Sequence, residues 1–530
     1  MSHCTLTILP TGQQLTATMG DSLLQTLLCH GIFLRSDCGG KGSCGKCRVE
    51  IAEIEGVFTA KPACTTTLTG DLSLRIPASS LLSAHVMTKA PASLPPFFSE
   101  AAISTPALTG PGIAVDLGTT TIAIYLCELG TRRVLASLAV KNPQALYGAD
   151  VMSRISAIGN DPAQLSRLQQ LTVQAIEWGI HQLFAGSTFS LDLLQRMVVV
   201  GNPAMIHILL GVNPSPLGTA PYHPVFREGR QTRATDLGFA FSGLTVHTLN
   251  HVAGFIGGDT LAATLACQLA EAPIGTLLVD LGTNGELVLK AEQGLFATSC
   301  ATGPAFEGAA LSCGMQATPG AIDRVTLANR TGKPGYTILW PELAAEGQAL
   351  GLCGSGVISA VAALLRAGII EPSGRFVHEP AIPRLVEVSA GWRYLIAATG
   401  KADPTEDIYL SQKDIRAVQL GKAALITGIE FLLRAAGMSQ PNRIIIAGAF
   451  GSFLDPSDML AIGMIPAIAL NRIEVAGNSA GVGAIMALCD PTSINRARQL
   501  AEMITMVELT TSLDFQRIFV ERLRFPDPLA

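Results

Sequence analysis

The sequence predicts a small α+β domain followed by a larger α/β unit of two lobes. Short strand-like segments surround one helical segment within residues 1–78. A strand–turn–strand pattern containing Asp-Leu-Gly-Thr occurs twice, at residues 112–140 and 275–299. Because a duplicated unit indicates two similar halves, we expect lobes spanning roughly 112–270 and 271–530, each presenting its glycine-containing turn to a shared cleft.

The predicted small domain has alternating apolar and polar residues in its strands. The strand segments are 4–10, 13–19, 48–51 and 71–76, and the helical segment is 21–31. Asp21 is placed to cap this helix and Gly31 to end it. Four strands around one helix predict a compact α+β domain.

A proline-rich segment, residues 79–111, links the small domain to the first repeat. It has five prolines and no sustained hydrophobic period. About 30 flexible residues have an r.m.s. span on the order of 30 Å, and prolines extend it further. The sequence therefore predicts a small domain that can swing over a distance comparable to its own size.

The composition excludes several classes of protein. The chain has 530 residues, 48% of them hydrophobic, and a net charge of -5 with both signs interspersed, so it is globular and has no electrostatic footprint for nucleic acid. Every apolar run is broken before about 18 residues, which predicts no membrane span. The first residues lack the basic and apolar regions of a signal peptide, so we expect a cytoplasmic protein whose 12 cysteines are not disulfides.

Four cysteines of the small domain have the spacing of an iron–sulfur site. They occur as C-x5-C-x2-C-x16-C, with four glycines between the first three. The glycines allow the loop to wrap closely, with backbone N–H groups turned toward the sulfurs. Tetrahedral zinc is the alternative, although three cysteines on one glycine-rich loop favour a 2Fe-2S cluster. The predicted cluster ligands are Cys38, Cys44, Cys47 and Cys64.

The two Asp-Leu-Gly-Thr turns predict a phosphate site. Their backbone N–H groups and threonine hydroxyls suit phosphate oxygens, and the strand-end carboxylates of Asp116 and Asp280 can hold Mg²⁺ through water. A third glycine-rich segment, residues 444–454, follows a buried strand and suits close approach of an adenosine. Simple tight hairpins are the alternative, in which the aspartates only form turns.

This ordered triplet resembles the actin, sugar kinase and Hsp70 superfamily, whereas the cysteine domain resembles plant-type ferredoxins of the β-grasp fold. The resemblance implies an ATPase whose catalytic residues are Asp116 and Asp280. The residues it implies for nucleotide binding are Gly118, Thr119, Thr120, Gly282, Thr283, Asn284, Gly448, Ala449 and Gly451.

The combination of these two parts resembles the ATP-dependent reductive activators of corrinoid proteins. Segments 198–211, 251–260, 278–289, 300–315 and 446–456 look like signatures of that family. The resemblance implies that one electron passes from a 2Fe-2S cluster to cob(II)alamin, regenerating cob(I)alamin, with ATP and Mg²⁺ driving an uphill step. It also implies two partners, a corrinoid protein of a methyltransferase system and an upstream electron donor. A homodimer is left open.

Three other functions stay open at the level of sequence. The chain could drive electrons into another low-potential enzyme, it could be a small-molecule kinase with a redox-sensing module, or it could be a redox sensor that binds nucleotide without turnover. Reduction of a corrinoid protein by this chain would distinguish corrinoid activation from these three functions.

The sequence allows two interpretations for each of several further residues. Asp259 is a cleft carboxylate or a helix N-cap, and Glu307 contacts a ligand or caps a helix. His207 lies on an apolar run and is read as a core histidine in preference to a cobalt-site residue. Three cysteines in small-residue segments are read as buried thiols in preference to a second metal site: Cys300, Cys313 and Cys353.

Overall fold

The computed structural model describes residues 2–34, 40, 42, 45, 47–54, 57–77, 80–81, 108–148, 150–303, 306, 311–344, 347–378, 382–389, 391–398, 407–448, 453–509 and 514–527. Most of the proline-rich segment lies outside these residues.

The small domain is a five-stranded sheet with one helix. Its elements are β1 (His3–Leu9), β2 (Gln13–Thr18), α1 (Leu23–Cys29), β3 (Arg48–Ile54), β4 (Val57–Pro62) and β5 (Leu72–Arg75). The strand order is β2-β1-β5-β3-β4, with β1 and β5 parallel at the centre. This arrangement confirms the predicted β-grasp fold, although β4 was not predicted. The N-cap of α1 is Ser22 and not Asp21, whereas Gly31 follows the helix with a φ of 75° that favours glycine.

The first lobe is built on a six-stranded sheet. Its elements are β6 (Pro111–Leu117), β7 (Thr121–Glu128), β8 (Arg133–Lys141), α2 (Val151–Asn160), α3 (Ala163–Ala185), β9 (Arg196–Gly201), α4 (Pro203–Leu209), β10 (Gln231–Arg233), β11 (Thr245–Thr248) and α5 (Gly258–Ala266). The strand order is β10-β11-β9-β6-β7-β8. The helical pattern of residues 161–186 predicts Asp161 as the cap and Pro162 as the first helical residue. In the structure Pro162 is at the N-cap position and α3 begins one residue later, although the side chain of Asp161 accepts a hydrogen bond from the backbone N–H of Ala163 at 3.0 Å.

The second lobe contains a second six-stranded sheet and two three-stranded sheets. Its strands are β12 (Thr276–Leu281), β13 (Gly285–Ala291), β14 (Gly294–Cys300), β15 (Ala321–Thr326), β16 (Gly335–Ile338), β17 (Gly351–Leu352), β18 (Leu385–Val388), β19 (Gly391–Ala397), β20 (Ile408–Ser411), β21 (Arg443–Ala447), β22 (Ile473–Gly477) and β23 (Ile504–Met506). Its helices are α6 (Gly354–Arg366), α7 (Gln412–Ala435), α8 (Pro456–Ala461), α9 (Ser479–Cys489), α10 (Pro491–Met503) and α11 (Phe515–Glu521).

Five of the six strands in each large sheet share one topology, as the repeated sequence predicted, whereas the sixth strand lies at opposite edges in the two sheets. In the first, β6, β7 and β8 form an antiparallel meander, with β9 parallel to β6 and β11 parallel to β9. In the second, β12, β13 and β14 form the same meander, with β21 parallel to β12 and β22 parallel to β21. The carboxyl ends of equivalent parallel strands therefore lie at equivalent edges.

Helix α9 connects the lobes by packing on the sheet of the first one. Its apolar residues share a buried cluster with Ala114 of β6 and Val198 of β9. Gly483 lies so close to α5 that an added Cβ would be 2.1 Å from the carbonyl oxygen of Ala262. A glycine at this crossing lets the two helices meet at backbone distance and holds the lobes together. In the described part of the chain, no helix is both long and apolar enough to cross a membrane.

Candidate functional site

The two Asp-Leu-Gly-Thr turns face each other across a cleft of about 290 Å³. The hydroxyls of Thr120 and Thr283 are 3.2 Å apart, which joins one turn to the other. Residues of all three predicted phosphate and adenosine segments line this cleft: Asp116, Gly118, Thr119, Thr120, Asp280, Gly282, Thr283, Asn284 and Gly448. Ala449 and Gly451 lie outside the described residues.

Backbone geometry explains the glycines of the turns. The N–H of Gly118 donates to the carbonyl of Thr121 at 3.0 Å, and a Cβ on Gly118 would lie 2.6 Å from that oxygen. Gly448 has a φ of 96°, and an added Cβ would lie 2.2 Å from the carbonyl oxygen of Leu281 and 2.8 Å from Oδ1 of Asp280. A side chain at either position would close the space that the turn needs.

Four carboxylates line the cleft and repel one another. Loss of water contact raises the pKa of Asp116 to about 6, although a hydrogen bond from Asn478 Nδ2 at 2.9 Å opposes the rise. Desolvation and the neighbouring carboxylates raise the pKa of Asp259 to about 7 and that of Asp280 to about 8. The same causes raise the pKa of Glu286 well above its usual range. Such a cluster suits a cation, which removes the repulsion.

This donor set fits magnesium held through water. Carboxylate oxygens are the ligands that Mg²⁺ prefers, and the ion usually keeps several waters and binds substrate phosphates. Among the described residues, no three Asp, Glu, His or Cys side chains already form a set of direct metal ligands. Water and phosphate oxygens would therefore supply most of the ligands of a magnesium ion bound here.

Sequence reasoning missed several features that suit phosphate. The amino ends of α6 and α9 reach the cleft through Ser355 and Asn478, and helix amino ends carry partial positive charge. Lys141, at the end of β8, also lines the cleft. Asn202, which caps α4, donates from Nδ2 to Thr119 Oγ1 at 3.0 Å. It directly follows Gly201, which the strand register makes the counterpart of Gly448, and this symmetry is the signal that could have identified it.

Two aromatic rings form one wall of the cleft. Trp340 and Phe453 meet edge to face, with centroids 6.0 Å apart, and both line the cavity. Trp340 has a φ of 43°, an unusual backbone conformation for a bulky residue. Strain of this kind is stored at functional sites. The wall offers a flat apolar surface to a ring.

Two of the four predicted cluster ligands are described, and the fold brings them together. The N–H of Ala63 donates to the carbonyl of Cys47 at 2.9 Å, and Cys64 is the next residue. Gly42 and Gly45 of the same loop have φ values of 77° and 62°, conformations that favour glycine. These features fit a loop wrapped around a cluster. Cys38 and Cys44 lie outside the described residues.

Comparisons with known proteins agree with this architecture. Residues 6–69 match the model of the 2Fe-2S iron-sulfur cluster binding domain. Residues 111–272 match the RACo middle region, and residues 275–529 match the C-terminal ASKHA domain of RACo. The chain is 32% identical over 426 residues to the corrinoid activation enzyme RamQ of Eubacterium limosum, an alignment that covers 78% of this chain and 70% of the relative. The chain belongs to the RACo family.

Other RACo-like proteins show the same relationship. The [Co(II) methylated amine-specific corrinoid protein] reductase of Methanosarcina barkeri is 26% identical over 451 residues, which are 78% of this chain and 77% of that protein. The solved structure of a reductive activator for corrinoid, iron-sulfur protein superposes with a TM-score of 0.72 at 26% identity, covering 99% of this chain and 98% of that one. Membership of the family confirms the resemblance, the fold class and the cofactors that were predicted: a 2Fe-2S cluster, ATP and Mg²⁺.

The structure also locates the residues that had two readings. The N-cap of α5 is Gly257, and Asp259 lines the cleft from the first turn of that helix. His207 is fully buried, its Nδ1 lies 2.6 Å from the carbonyl oxygen of Pro203, and its Nε2 accepts from the N–H of Val225, as expected of a core histidine. Glu307 lies outside the described residues.

The three cysteines with two readings have separate surroundings. Cys300 is packed against Gly428, whereas Cys313 donates to the carbonyl of Asp407 at 3.6 Å. Cys353 donates to the carbonyl of Ile322 at 3.2 Å. These contacts are those of packed thiols.

Proposed function

We propose that this chain is an ATP-hydrolysing reductive activase of a corrinoid protein. One electron passes from its 2Fe-2S cluster to cob(II)alamin and gives cob(I)alamin. The observation that carries the proposal is the union, in one chain of the RACo family, of a cysteine domain with a cleft where two threonine turns and four carboxylates meet. The names of its relatives, which describe corrinoid activation and reduction, support this acceptor.

The cleft residues divide the work of holding and hydrolysing ATP. Thr119, Thr120 and Thr283 line the cleft and would offer hydroxyls to phosphate oxygens. Asp116 and Asp280 would hold a magnesium ion through water. Magnesium, when bound, neutralises charge on the phosphate oxygens. A carboxylate with a raised pKa, such as Asp259, can accept a hydrogen bond from the attacking water and orient it. The products are ADP and inorganic phosphate.

The cysteine loop is the part of the chain that transfers the electron. Cys38, Cys44, Cys47 and Cys64 would hold a 2Fe-2S cluster, which would supply one-electron chemistry. Plant-type clusters have potentials of about -400 mV. One electron would enter the domain from an upstream donor for each electron that leaves it for the cobalt of the partner, so the electrons balance. Each 100 mV of adverse potential costs about 2.3 kcal/mol per electron. ATP drives the step by binding the states of the protein with different affinities.

An anaerobic reconstitution tests the proposal. The cluster-loaded, reduced protein is mixed with Mg-ATP and a corrinoid protein in the Co(II) state, and the absorption of Co(I) is followed. We expect Co(I) to accumulate with ATP and not without it. ADP formation should accompany it, and an Asp280→Asn variant should support neither. If ATP is hydrolysed and no candidate corrinoid protein is reduced, the acceptor is wrong. If ATP is not hydrolysed with any partner, the ATPase assignment is wrong.

The setting of this reaction is part of the proposal. The corrinoid partner belongs to a methyltransferase system, and the upstream donor is a second protein. We place the reaction in the cytoplasm, where thiols stay reduced. Purification of tagged chain from its native host under anoxic conditions, with identification of bound proteins, tests these partners.

A further inference from the structure

The ferredoxin domain is seated on helix α3 of the first lobe. Nε2 of Gln174 donates to the carbonyl of Cys29 at 2.8 Å, and Nη2 of Arg167 donates to the sulfur of Cys29 at 3.6 Å. The rings of Phe33 and Trp178 have centroids 6.1 Å apart. The end of α1 and the residues after it therefore rest on one face of α3, a seat that the sequence did not predict.

The iron–sulfur loop touches the same lobe beside this seat. An added Cβ on Gly40 would lie 2.8 Å from Cδ2 of Leu146. Leu146 ends the short 3-10 turn Pro143–Leu146, which follows β8. The next residue, Tyr147, packs its ring under the guanidinium of Arg167 at 5.9 Å. The turn and α3 thus form one continuous docking surface.

Two buried side chains tie this turn to the first phosphate loop. Nη1 of Arg154 donates to Oε1 of Gln144 at 2.9 Å, and Nη2 of Arg154 donates to the carbonyl of Thr119 at 2.6 Å. Beside them, Nδ2 of Asn142 donates to the carbonyl of Gly118 at 2.9 Å. Both carbonyls belong to the loop that lines the ATP cleft.

The same network reaches into α3. Nε2 of Gln144 donates to the hydroxyl of Thr172 at 2.5 Å and to the carbonyl of Leu168 at 3.2 Å. Arg154, Gln144 and Thr172 are all fully buried. The side chains of a buried, hydrogen-bonded network are closely packed and have little freedom to move. A shift of one member must therefore be accommodated by shifts of the others.

We propose that Arg154 and Gln144 are positioning residues that couple nucleotide binding at the first phosphate loop to the seating of the ferredoxin domain on α3. The inference rests on the proposed function in one respect, which is that nucleotide binds in the cleft. A ligand that moves residues 118–120 displaces Arg154, which is bonded to the carbonyl of Thr119. Arg154 in turn displaces Gln144, and Gln144 belongs to the docking surface. The coupling is reciprocal: if nucleotide changes the seating of the domain, unseating the domain changes nucleotide affinity by the same factor.

A remote substitution tests the coupling. Gln174→Glu places a carboxylate against the carbonyl of Cys29 and weakens the seat. Gln170→Glu makes the same change at an exposed position of the same helix. Both variants are prepared as full-length, cluster-loaded protein, and the Kd of a non-hydrolysable ATP analogue with Mg²⁺ is measured by calorimetry. We expect Gln174→Glu to change this Kd by about fivefold or more, the usual lower limit of allosteric coupling, and Gln170→Glu to match the wild type.

Hydrogen–deuterium exchange monitors the contact between α1 and α3 directly. In the wild type, the analogue should change deuterium uptake in peptides of α1 and α3. In Arg154→Lys, which keeps the charge but not the two-pronged bond, that change should be lost although the analogue still binds. If Arg154→Lys fails to fold, the comparison of Gln174→Glu with Gln170→Glu decides alone.

The outcomes separate this inference from the proposed function. If the analogue binds the wild type and neither the exchange nor the Kd of Gln174→Glu responds, the coupling is wrong and the proposed function stands. An unchanged response in a folded Arg154→Lys overturns the role of that arginine. If the wild type does not bind the analogue at all, the proposed function falls, and the coupling falls with it.

Discussion

The hydroxyls of Thr120 and Thr283 meet at 3.2 Å although the two residues are 163 positions apart. Each lies in one copy of the repeated turn, so this contact places the two copies face to face across the cleft. Since either hydroxyl can donate or accept, both can turn toward a phosphate oxygen. A nucleotide that recruits them replaces a bond between the lobes with bonds to itself, which links its binding to the separation of the lobes.

Loss of a cluster cysteine should abolish the iron–sulfur site and leave the fold intact. In Cys64→Ser we expect loss of the visible absorption and of the EPR signal of the reduced cluster, because a hydroxyl replaces a thiolate ligand. Cys4→Ala is the control, since Cys4 is buried in the same domain and lies on β1, where it pairs with Ala17 of β2. Equal cluster content in both variants would show that Cys64 is not a ligand.

Removal of the charge of Asp280 should reduce ATP hydrolysis by about 100-fold or more, the scale for loss of one group that stabilises a transition state. Asp280→Asn keeps the shape of the side chain. The control Asp236→Asn alters an exposed aspartate whose ion pair with Arg233 is worth little. Phosphate release measured with saturating Mg-ATP distinguishes them. Wild-type turnover in Asp280→Asn would exclude a catalytic role.

The carboxylate cluster should make the metal-free protein less stable as the pH rises. The pKa of Asp280 is raised from 3.8 to about 8 in the fold, so the fold holds this proton more tightly than the unfolded chain does. Its contribution to the free energy of unfolding is therefore complete below about pH 4 and is lost as the pH rises through about 8.

Urea unfolding between pH 5 and pH 9 in the presence of a chelator measures this dependence. Asp280→Asn should flatten the decline, and Asp236→Asn should follow the wild type. A wild-type slope in Asp280→Asn would show that the pKa of this residue is not raised.

A methyl group at position 448 should damage both the fold and the nucleotide site. Gly448→Ala adds a Cβ that would meet the carbonyl oxygen of Leu281 at 2.2 Å, in addition to the strain of a positive φ. Gly437→Ala is the control, because Gly437 has a φ of 68° and no atom within 4 Å of the added Cβ. We expect a cost of about 1 kcal/mol from strain in the control. A larger cost and weaker nucleotide binding are expected in Gly448→Ala. Equal unfolding midpoints would contradict the close approach.

The aromatic wall should contribute to nucleotide affinity. Trp340→Ala removes a surface on which a base can stack, and such stacking contributes about 1–3 kcal/mol per base. Trp392→Ala, which removes a tryptophan that packs against His378 outside the cleft, is the control. Titration with the ATP analogue should show a Kd raised about tenfold only in Trp340→Ala. If the substitution weakens the binding of inorganic triphosphate to the same extent, Trp340 does not contact the base.

Much of the domain architecture was predictable because local sequence patterns indicate it. The cysteine spacing indicated the ferredoxin domain, and the repeated Asp-Leu-Gly-Thr turns indicated two related lobes. Helix ends were predicted less well. The helical pattern of residues 414–437 predicts a helix that starts at Asp414, whereas α7 begins at Gln412 with Ser411 as its N-cap. Both residues are good caps, and only the hydrogen bonds of the folded chain show that they form a capping box together.

What the sequence by itself determined is the chemistry the chain carries: four cysteines at cluster spacing and two strand-end aspartates beside glycine–threonine turns. What only the tertiary structure decided is which distant residues join that chemistry. Glu286 and Asp259 became cleft carboxylates beside Asp116 and Asp280, and Arg154 connected the phosphate loop with the seat of the ferredoxin domain. Motifs are local because they are made by neighbours in the chain. Charge clusters and buried networks arise from parallel strands and packed helices that bring remote segments together, and no local pattern encodes those distances.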